Sequence, residues 1–327
     1  MVGLTRRTVL AVLAASVALP AQANDYPARA ITIVVPFTPG GAGDLLSRLL
    51  GQKLEQAWGK PVVIENKPGA GSLIGASAVA KAQPDGYTLL MAPSGTLAVN
   101  GTLYKSLPYD PLGDFVPVAL AAQTPFALIV NPALPVKSVP ELVSYAKAKG
   151  ESLAFATVGP GLPHHLFGEL FKSMTGIAMT PVPYKGSLPA LNDVVAGHVP
   201  LMFCDLGPAG PMIAAGKVRA LGVTTKTRVA AVADVPPLAE AGVPGFDAAS
   251  WQMLVAPAKT PPEVVARLHA ELKTILAQPE IGDAIARNGM VPMENASLAA
   301  LQSFVRSEVT RWGKVVEQAG IAQSLSQ

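Results

Sequence analysis

One unit recurs along this chain and constrains its fold more than any other feature. A short β-branched run is followed by a glycine-rich turn and then by a stretch with helical spacing. Residues 31–36 (ITIVVP) read as a buried strand, 37–43 as the turn and 44–58 as an amphipathic helix. The unit repeats with a strand at 61–65, a turn at 66–72 and a small-residue helix at 73–82. Pro84-Asp85-Gly86 then turns into a strand at 87–91. Strand–helix–strand succession of this kind predicts a parallel sheet with right-handed crossovers.

The pattern shifts near residue 125 into a second α/β unit. Its strands are expected at 126–130, 153–157, 179–182, 199–203 and 218–223, and its helices at 139–149, 164–175, 187–196 and 208–215. A Pro/Gly-rich connection at 231–245 leads to one more strand, 251–256. The C-terminal third is helical, at 262–277, 279–288 and 297–319. The expected fold class is α/β, with two parallel or mixed sheets in two lobes and a ligand cleft between them. The first domain is expected to be discontinuous, 24–124 plus 246–327, and the second to span 125–245. Two crossings would then form a hinge.

Composition narrows the functions such a fold could carry. Half of the 327 residues are apolar and only 14% are charged, which excludes a disordered chain. The 25 Lys and Arg nearly balance the 22 Asp and Glu, so the concentrated basic face of a nucleic-acid binder is missing. Residues 1–23 have the form of a secretory signal: Arg6 and Arg7, an apolar run at 9–19, Pro20, then Ala21-Gln22-Ala23 as a cleavage site. The apolar run is too short for a stable membrane anchor, and no later stretch is long enough to span. Cleavage would remove two basic residues and no acid. Thr5-Arg6-Arg7 matches the twin-arginine pattern only in part, so the export route stays undecided between two systems. A single cysteine, Cys204, in an exported chain fits the bacterial periplasm, and its apolar neighbours make it a small buried hydrophobe.

Three glycine-rich loops follow strands and open helices: 37–44, 66–72 and 157–163. A helix start presents unpaired N–H groups and the positive end of its dipole, and glycine lets a ligand approach the backbone. Such a start holds anions. Neither a Walker A loop nor a dinucleotide fingerprint is present. Asp44 in the first turn would cap the helix and repel a multiply charged phosphate, which favours a carboxylate. Loops 36–44 and 157–165 contain no Lys or Arg, so an anion there would rest on backbone N–H groups, hydroxyls and water. Lys67 and Lys185, in neighbouring loops, read as solvated surface residues. In open α/β sheets ligands bind beyond the carboxyl ends of the strands, where these loops lie.

Catalytic signals are weak. His164 and His165 are adjacent, so on a helix their side chains diverge by about 100°, which does not suit a shared metal. Ser94-Gly95 follows a strand, but no Gly-x-Ser-x-Gly elbow surrounds it. His269 reads as a surface residue of an amphipathic helix. Asp205 follows the fourth strand of the second unit. The sequence leaves open whether it accepts a ligand hydroxyl or amine or caps a turn.

The chain resembles the Bug solute-binding proteins of tripartite tricarboxylate transporters, the TctC-like family. The matching stretches run in order over almost the whole mature chain: Tyr26-Pro27, VVPFTPGGAGD at 34–44, NKPGAG at 66–71, PDGYTLL at 84–90, LPYDP at 107–111 and DFVPV at 114–118. They continue with Gly159-Pro160-Gly161, His165-Leu166, VPYKG at 182–186, VPP at 235–237, EAGVPGF at 240–246, Trp251 and APAKTP at 256–261. The resemblance implies a periplasmic, monomeric two-lobed receptor without cofactor, metal or catalytic residues. It would close on a small carboxylate: a dicarboxylate, an acidic amino acid, a citrate-like acid or an aromatic acid. It implies that one carboxylate is held, partly through water, by Phe37, Gly40, Gly41 and Ala42 of the first loop and by Thr157 and Gly161 of the third. Ser94, His165, Tyr184 and Asp205 would line the rest of the cleft. Inner-membrane transporter subunits of the TctA/TctB type are the implied partners. Two positions depart from the family pattern: Leu162 replaces a hydroxyl residue, and Ser72 replaces the last glycine of the second loop. Both give weight to a less polar or aromatic acid. A sensory receptor partner is compatible with the same reading. A secreted hydrolase would need a nucleophile and base, and no such triad is visible.

Overall fold

The computed structural model describes residues 26–149 and 152–326. The expected signal segment, 1–23, lies outside the described residues.

Two mixed sheets carry the molecule. The first begins as expected. The buried strand β1 (Ile31–Val35) pairs in parallel with β2 (Val62–Asn66) and β3 (Thr88–Pro93). The intervening helices are α1 (Ala42–Trp58) and α2 (Leu73–Ala80). Beyond β3 the chain makes a π-helical turn, Gly95–Val99, and the short α3 (Asn100–Leu103). It then enters β4 (Phe115–Thr124), a strand that sequence pattern did not predict. Its run FVPVALAAQT is rich in alanine and carries a proline, both depleted in strands. Proline is tolerated here because Pro117 sits at an irregularity of the ladder, opposite Val255.

The first sheet is completed from the far end of the chain. β10 (Ser250–Pro257), buried at every position, inserts antiparallel between β3 and β4. The two-residue β11 (Val291–Pro292) pairs with β4 at the edge. The order is β11-β4-β10-β3-β1-β2.

The second sheet has the order β7-β6-β8-β5-β9. Its strands are β5 (Phe126–Val130), β6 (Leu153–Thr157), β7 (Met179–Pro183), β8 (Leu201–Asp205) and β9 (Arg219–Val223). β6 is parallel to β7 and β8, whereas β5 is antiparallel to β8 and β9. β8 lies two residues later than expected because Asp205 pairs with Phe126, so Asp205 ends the strand rather than following it. Helices α4 (Val139–Lys149), α5 (Pro163–Thr175), α6 (Ser187–Ala196) and α7 (Leu206–Ala214) belong to this half. Cys204 is buried and free, as expected.

The sheets are joined at two places, which are tied to each other. Thr224 accepts from the Ala248 N–H at 2.8 Å, donates its own N–H to the Phe126 carbonyl at 2.9 Å, and takes the Phe126 N–H on its hydroxyl at 3.1 Å. The last helices are α8 (Pro262–Leu276), α9 (Pro279–Arg287) and α10 (Leu298–Gln318). His269 of α8 is half-buried rather than surface-bound, because α8 packs across the first sheet and its Nδ1–H donates to the Val118 carbonyl at 2.8 Å. α10 reaches the second half, where Trp312 packs on Phe167 with ring centroids 5.6 Å apart. One buried apolar cluster therefore runs from β1 and β3 through α10 to β5 and β6. Among the described residues no helix is long and apolar enough to cross a membrane.

Candidate functional site

A cavity of about 370 Å³ lies between the two sheets at the strand ends, and all three glycine loops reach it. From the first half it is walled by Phe37 and Ala42, by Gly71 and Ser72, and by Thr96, Asn100, Ser250 and Gln252. From the second half come Phe126, the stretch Gly159–His164, and Asp205. No lysine or arginine is among these lining residues.

The first loop is braced at the start of α1. Gly40 takes a φ of +91°, and its N–H donates to Asp44 Oδ2 at 3.0 Å. Asp44 is buried, yet Arg48 binds it through two nitrogens and Asn66 Nδ2 donates to it at 3.1 Å. Burial pushes its carboxyl up, but the bonds from Arg48, Gly40 and Asn66 outweigh that and hold it below its ordinary value. Its charge is thus compensated locally rather than turned on the cavity. Asn66 also donates to the Phe37 carbonyl at 3.0 Å, which ties the second loop to the first. The N–H groups of the first turn of α1 have no intrahelical partner.

The second loop is strained. Ala70 and Ser72 both have positive φ, 46° and 86°. Serine in this region costs on the order of 1 kcal/mol where glycine would cost little. Its hydroxyl gives something back: it accepts from Thr96 Oγ1 at 2.7 Å and lies 3.4 Å from Asn100 Nδ2. Asn100 donates to the Tyr109 hydroxyl at 3.1 Å, and Tyr109 donates to the Thr96 carbonyl at 3.0 Å. A buried hydroxyl–amide network therefore forms one wall of the cavity.

The third loop is fixed from beneath. Gly159 and Gly161 take φ of 123° and 72°, and Pro163 opens α5. The Gly161 N–H donates to His165 Nδ1 at 3.3 Å. His165 Nε2 in turn lies 3.5 Å from Glu169, which Lys172 also binds. Burial raises the Glu169 carboxyl, but the bonds from His165 and Lys172 outweigh it and leave it lowered.

The structure brings some of the expected residues together and not others. Phe37, Ala42, Gly161 and Asp205 line the cavity. Gly40 and Gly41 are exposed and are not among its lining residues. Ser94 stands one residue behind the wall, its hydroxyl 3.0 Å from that of Ser250. Thr157 is buried at the end of β6, where its carbonyl accepts the Tyr184 N–H. His165 supports Gly161 instead of facing the cavity. Tyr184 lies off the wall: its hydroxyl donates to Asp193 at 2.7 Å, and burial with that bond pushes its pKa up to about 12. Lys67 pairs with Glu65 at 3.2 Å and Lys185 is exposed. Sequence reading missed Thr96, Asn100, Ser250 and Gln252 as wall residues, named Ser72 only as a departure from the family pattern, and considered His164 only for a metal. No group of three or more His, Cys, Asp or Glu poised for a metal occurs among the described residues.

Two α/β lobes with a cavity at their strand ends, walled by helix starts and hydroxyls, define a two-lobed periplasmic binding protein. The model of the tripartite tricarboxylate transporter family receptor, TctC, matches residues 46–321, and the chain belongs to that family. It is 38% identical over 307 residues to protein BugT of Bordetella pertussis, covering 94% of each chain. R. palustris Rpa4515, solved with adipate, superposes with a TM-score of 0.82 at 41% identity, over 91% of this chain and 99% of that one. The periplasmic binding protein BugD superposes with a TM-score of 0.78 at 34% identity, over 92% and 100%.

Proposed function

We propose that this protein is an extracytoplasmic receptor that binds a small carboxylate in the cavity between its lobes and delivers it to a tripartite tricarboxylate-type transporter. Residues 1–23 would be its cleaved export signal. The lobes would be 24–124 plus 246–327 and 125–245, closing about the crossings tied together at Thr224. The observation that carries the reading is a cavity flanked by glycine loops at the starts of α1 and α5, with no lysine or arginine in its wall. Such a wall favours a compact anion that accepts hydrogen bonds in preference to a phosphate needing cations. The adipate in Rpa4515 points to the same chemistry. The carboxylate would rest on the backbone around Phe37, Gly40, Gly41 and Ala42 and on the loop at Gly161, with Asp205 on the opposite wall. Ser94, Thr157, His165 and Tyr184 would act from behind.

Binding without turnover is favoured by one detail. A Ser–His–Asp relay places serine and aspartate on opposite imidazole nitrogens. Here Ser187 and Asp205 both meet His164 Nε2.

A thermal-shift screen of the mature protein, freed of co-purified ligand, against a panel of carboxylic acids tests the reading. An acid at 100 times its dissociation constant adds about 2.7 kcal/mol of stability. We expect a shift with one acid class and unaltered acid recovered afterwards. No shift across the panel, or recovery of a product, would overturn it.

A further inference from the structure

Three side chains from three elements meet on the second-lobe wall of the cavity: His164 in the first turn of α5, Ser187 at the start of α6 and Asp205 at the end of β8. Ser187 Oγ donates to Asp205 Oδ1 at 2.5 Å. His164 Nε2 lies 2.7 Å from Ser187 Oγ and 3.2 Å from Asp205 Oδ1.

Burial raises the Asp205 carboxyl, but the bonds from His164 and Ser187 outweigh it, so the group is held below its ordinary value and is ionised at neutral pH. A carboxylate only accepts. Ser187 has a single hydroxyl proton, and that proton is on Asp205. The Ser187 oxygen can therefore only accept from His164, which places a hydrogen on Nε2. Asp205 Oδ2 takes neither of these two bonds. Asp205 lines the cavity, and no lysine or arginine shares the wall with it.

We propose that the His164–Ser187–Asp205 cluster is the specificity-determining subsite: it receives a hydrogen-bond donor, a hydroxyl or an ammonium, at the end of the ligand remote from its carboxylate, and it disfavours a second ionised carboxylate. The inference rests on the carboxylate reading and refines it to a substrate class, monocarboxylates carrying a distal donor. Like charges brought together in a desolvated site repel, which separates donor-ended acids from dicarboxylates.

The test is isothermal titration of the mature protein at neutral pH with matched straight-chain acids of four to six carbons. Each length is presented as the plain monocarboxylate, the ω-hydroxy acid, the ω-amino acid and the dicarboxylate. The wild-type protein is expected to bind a donor-ended acid roughly tenfold or more tighter than the dicarboxylate of equal length. Asp205→Asn, checked for folding by circular dichroism, should cut that preference at least severalfold. A tighter ω-amino than ω-hydroxy acid would identify the donor as an ammonium, and the reverse order a hydroxyl. A wild-type protein that binds the dicarboxylate as tightly as either donor-ended acid at every length overturns the inference and leaves the carboxylate reading standing. Asp205→Asn protein that keeps the wild-type ratio overturns it as well. Silence of all four series overturns the inference, and the thermal-shift panel, which holds aromatic and citrate-like acids as well, then decides the carboxylate reading separately.

Discussion

Gly161 shows how much a single backbone position can decide. Its φ of 72° is one that side chains adopt at a cost, and a Cβ there would overlap the Leu103 side chain of α3. Gly161→Ala is therefore expected to weaken ligand binding about tenfold or more, from left-handed strain of order 1–2 kcal/mol plus the overlap. Adding Leu103→Ala should recover part of the loss. Unchanged affinity in the single variant would remove Gly161 from the account. Glu169 makes a pH-dependent statement. Its carboxyl is lowered in the folded protein, so the stability it contributes is present above the unfolded carboxylate value, about 4.3, and is lost as pH falls through the lower folded value. Glu169→Gln should flatten that part of the acid limb in urea melts taken across a pH series. An unaltered limb would contradict the role given to the His165–Glu169–Lys172 chain.

At this scale the sequence was most legible where backbone makes the site. Glycine next to a helix start has a physical meaning that spacing alone reveals, and loops 37–44 and 157–163 do flank the cavity. Side-chain walls were not legible. Ser72, Thr96 and Asn100 meet only because the turn after β3 folds over the second loop, and nothing local in the sequence announces that approach. Tyr184 shows the converse: the family resemblance put it at the cleft, but its hydroxyl donates to Asp193 on the helix that follows.

Among the elements, α10 links the two halves. Glu308 is buried on it and accepts two indole N–H groups, Trp251 Nε1 of β10 at 2.8 Å and Trp312 Nε1 at 2.9 Å. Arg311 pairs with it at 3.2 Å. Trp312 then packs on Phe167 of α5. Glu308→Ala leaves both indole groups without their acceptor, and urea unfolding is expected to show a loss of roughly 2–5 kcal/mol. Tryptophan emission should shift to the red as these rings loosen. A variant as stable as wild type would mean that packing alone docks the helix. Strands with β-branched runs and helices with strong apolar faces were readable in advance. β4 was not, because an alanine-rich strand with an interior proline has no local signature. Its place is set by β10, which arrives from more than a hundred residues away.

For the whole molecule, the central consequence is that one core cluster and two tied crossings hold the lobes together while the cavity between them stays walled by loops. Under the proposed function an anion would rest there on helix starts and hydroxyls, with no lysine or arginine in the wall. Nuclear magnetic resonance on isotope-labelled mature protein, titrated with the acid that gives the largest thermal shift, tests this most directly. The account predicts that the amide signals of Ala42 and Gly43 at the start of α1, and those around Gly161 and His164, move together and saturate with the same dissociation constant. Shifts confined to the exposed lysine and arginine surface, or to one lobe alone, would contradict it.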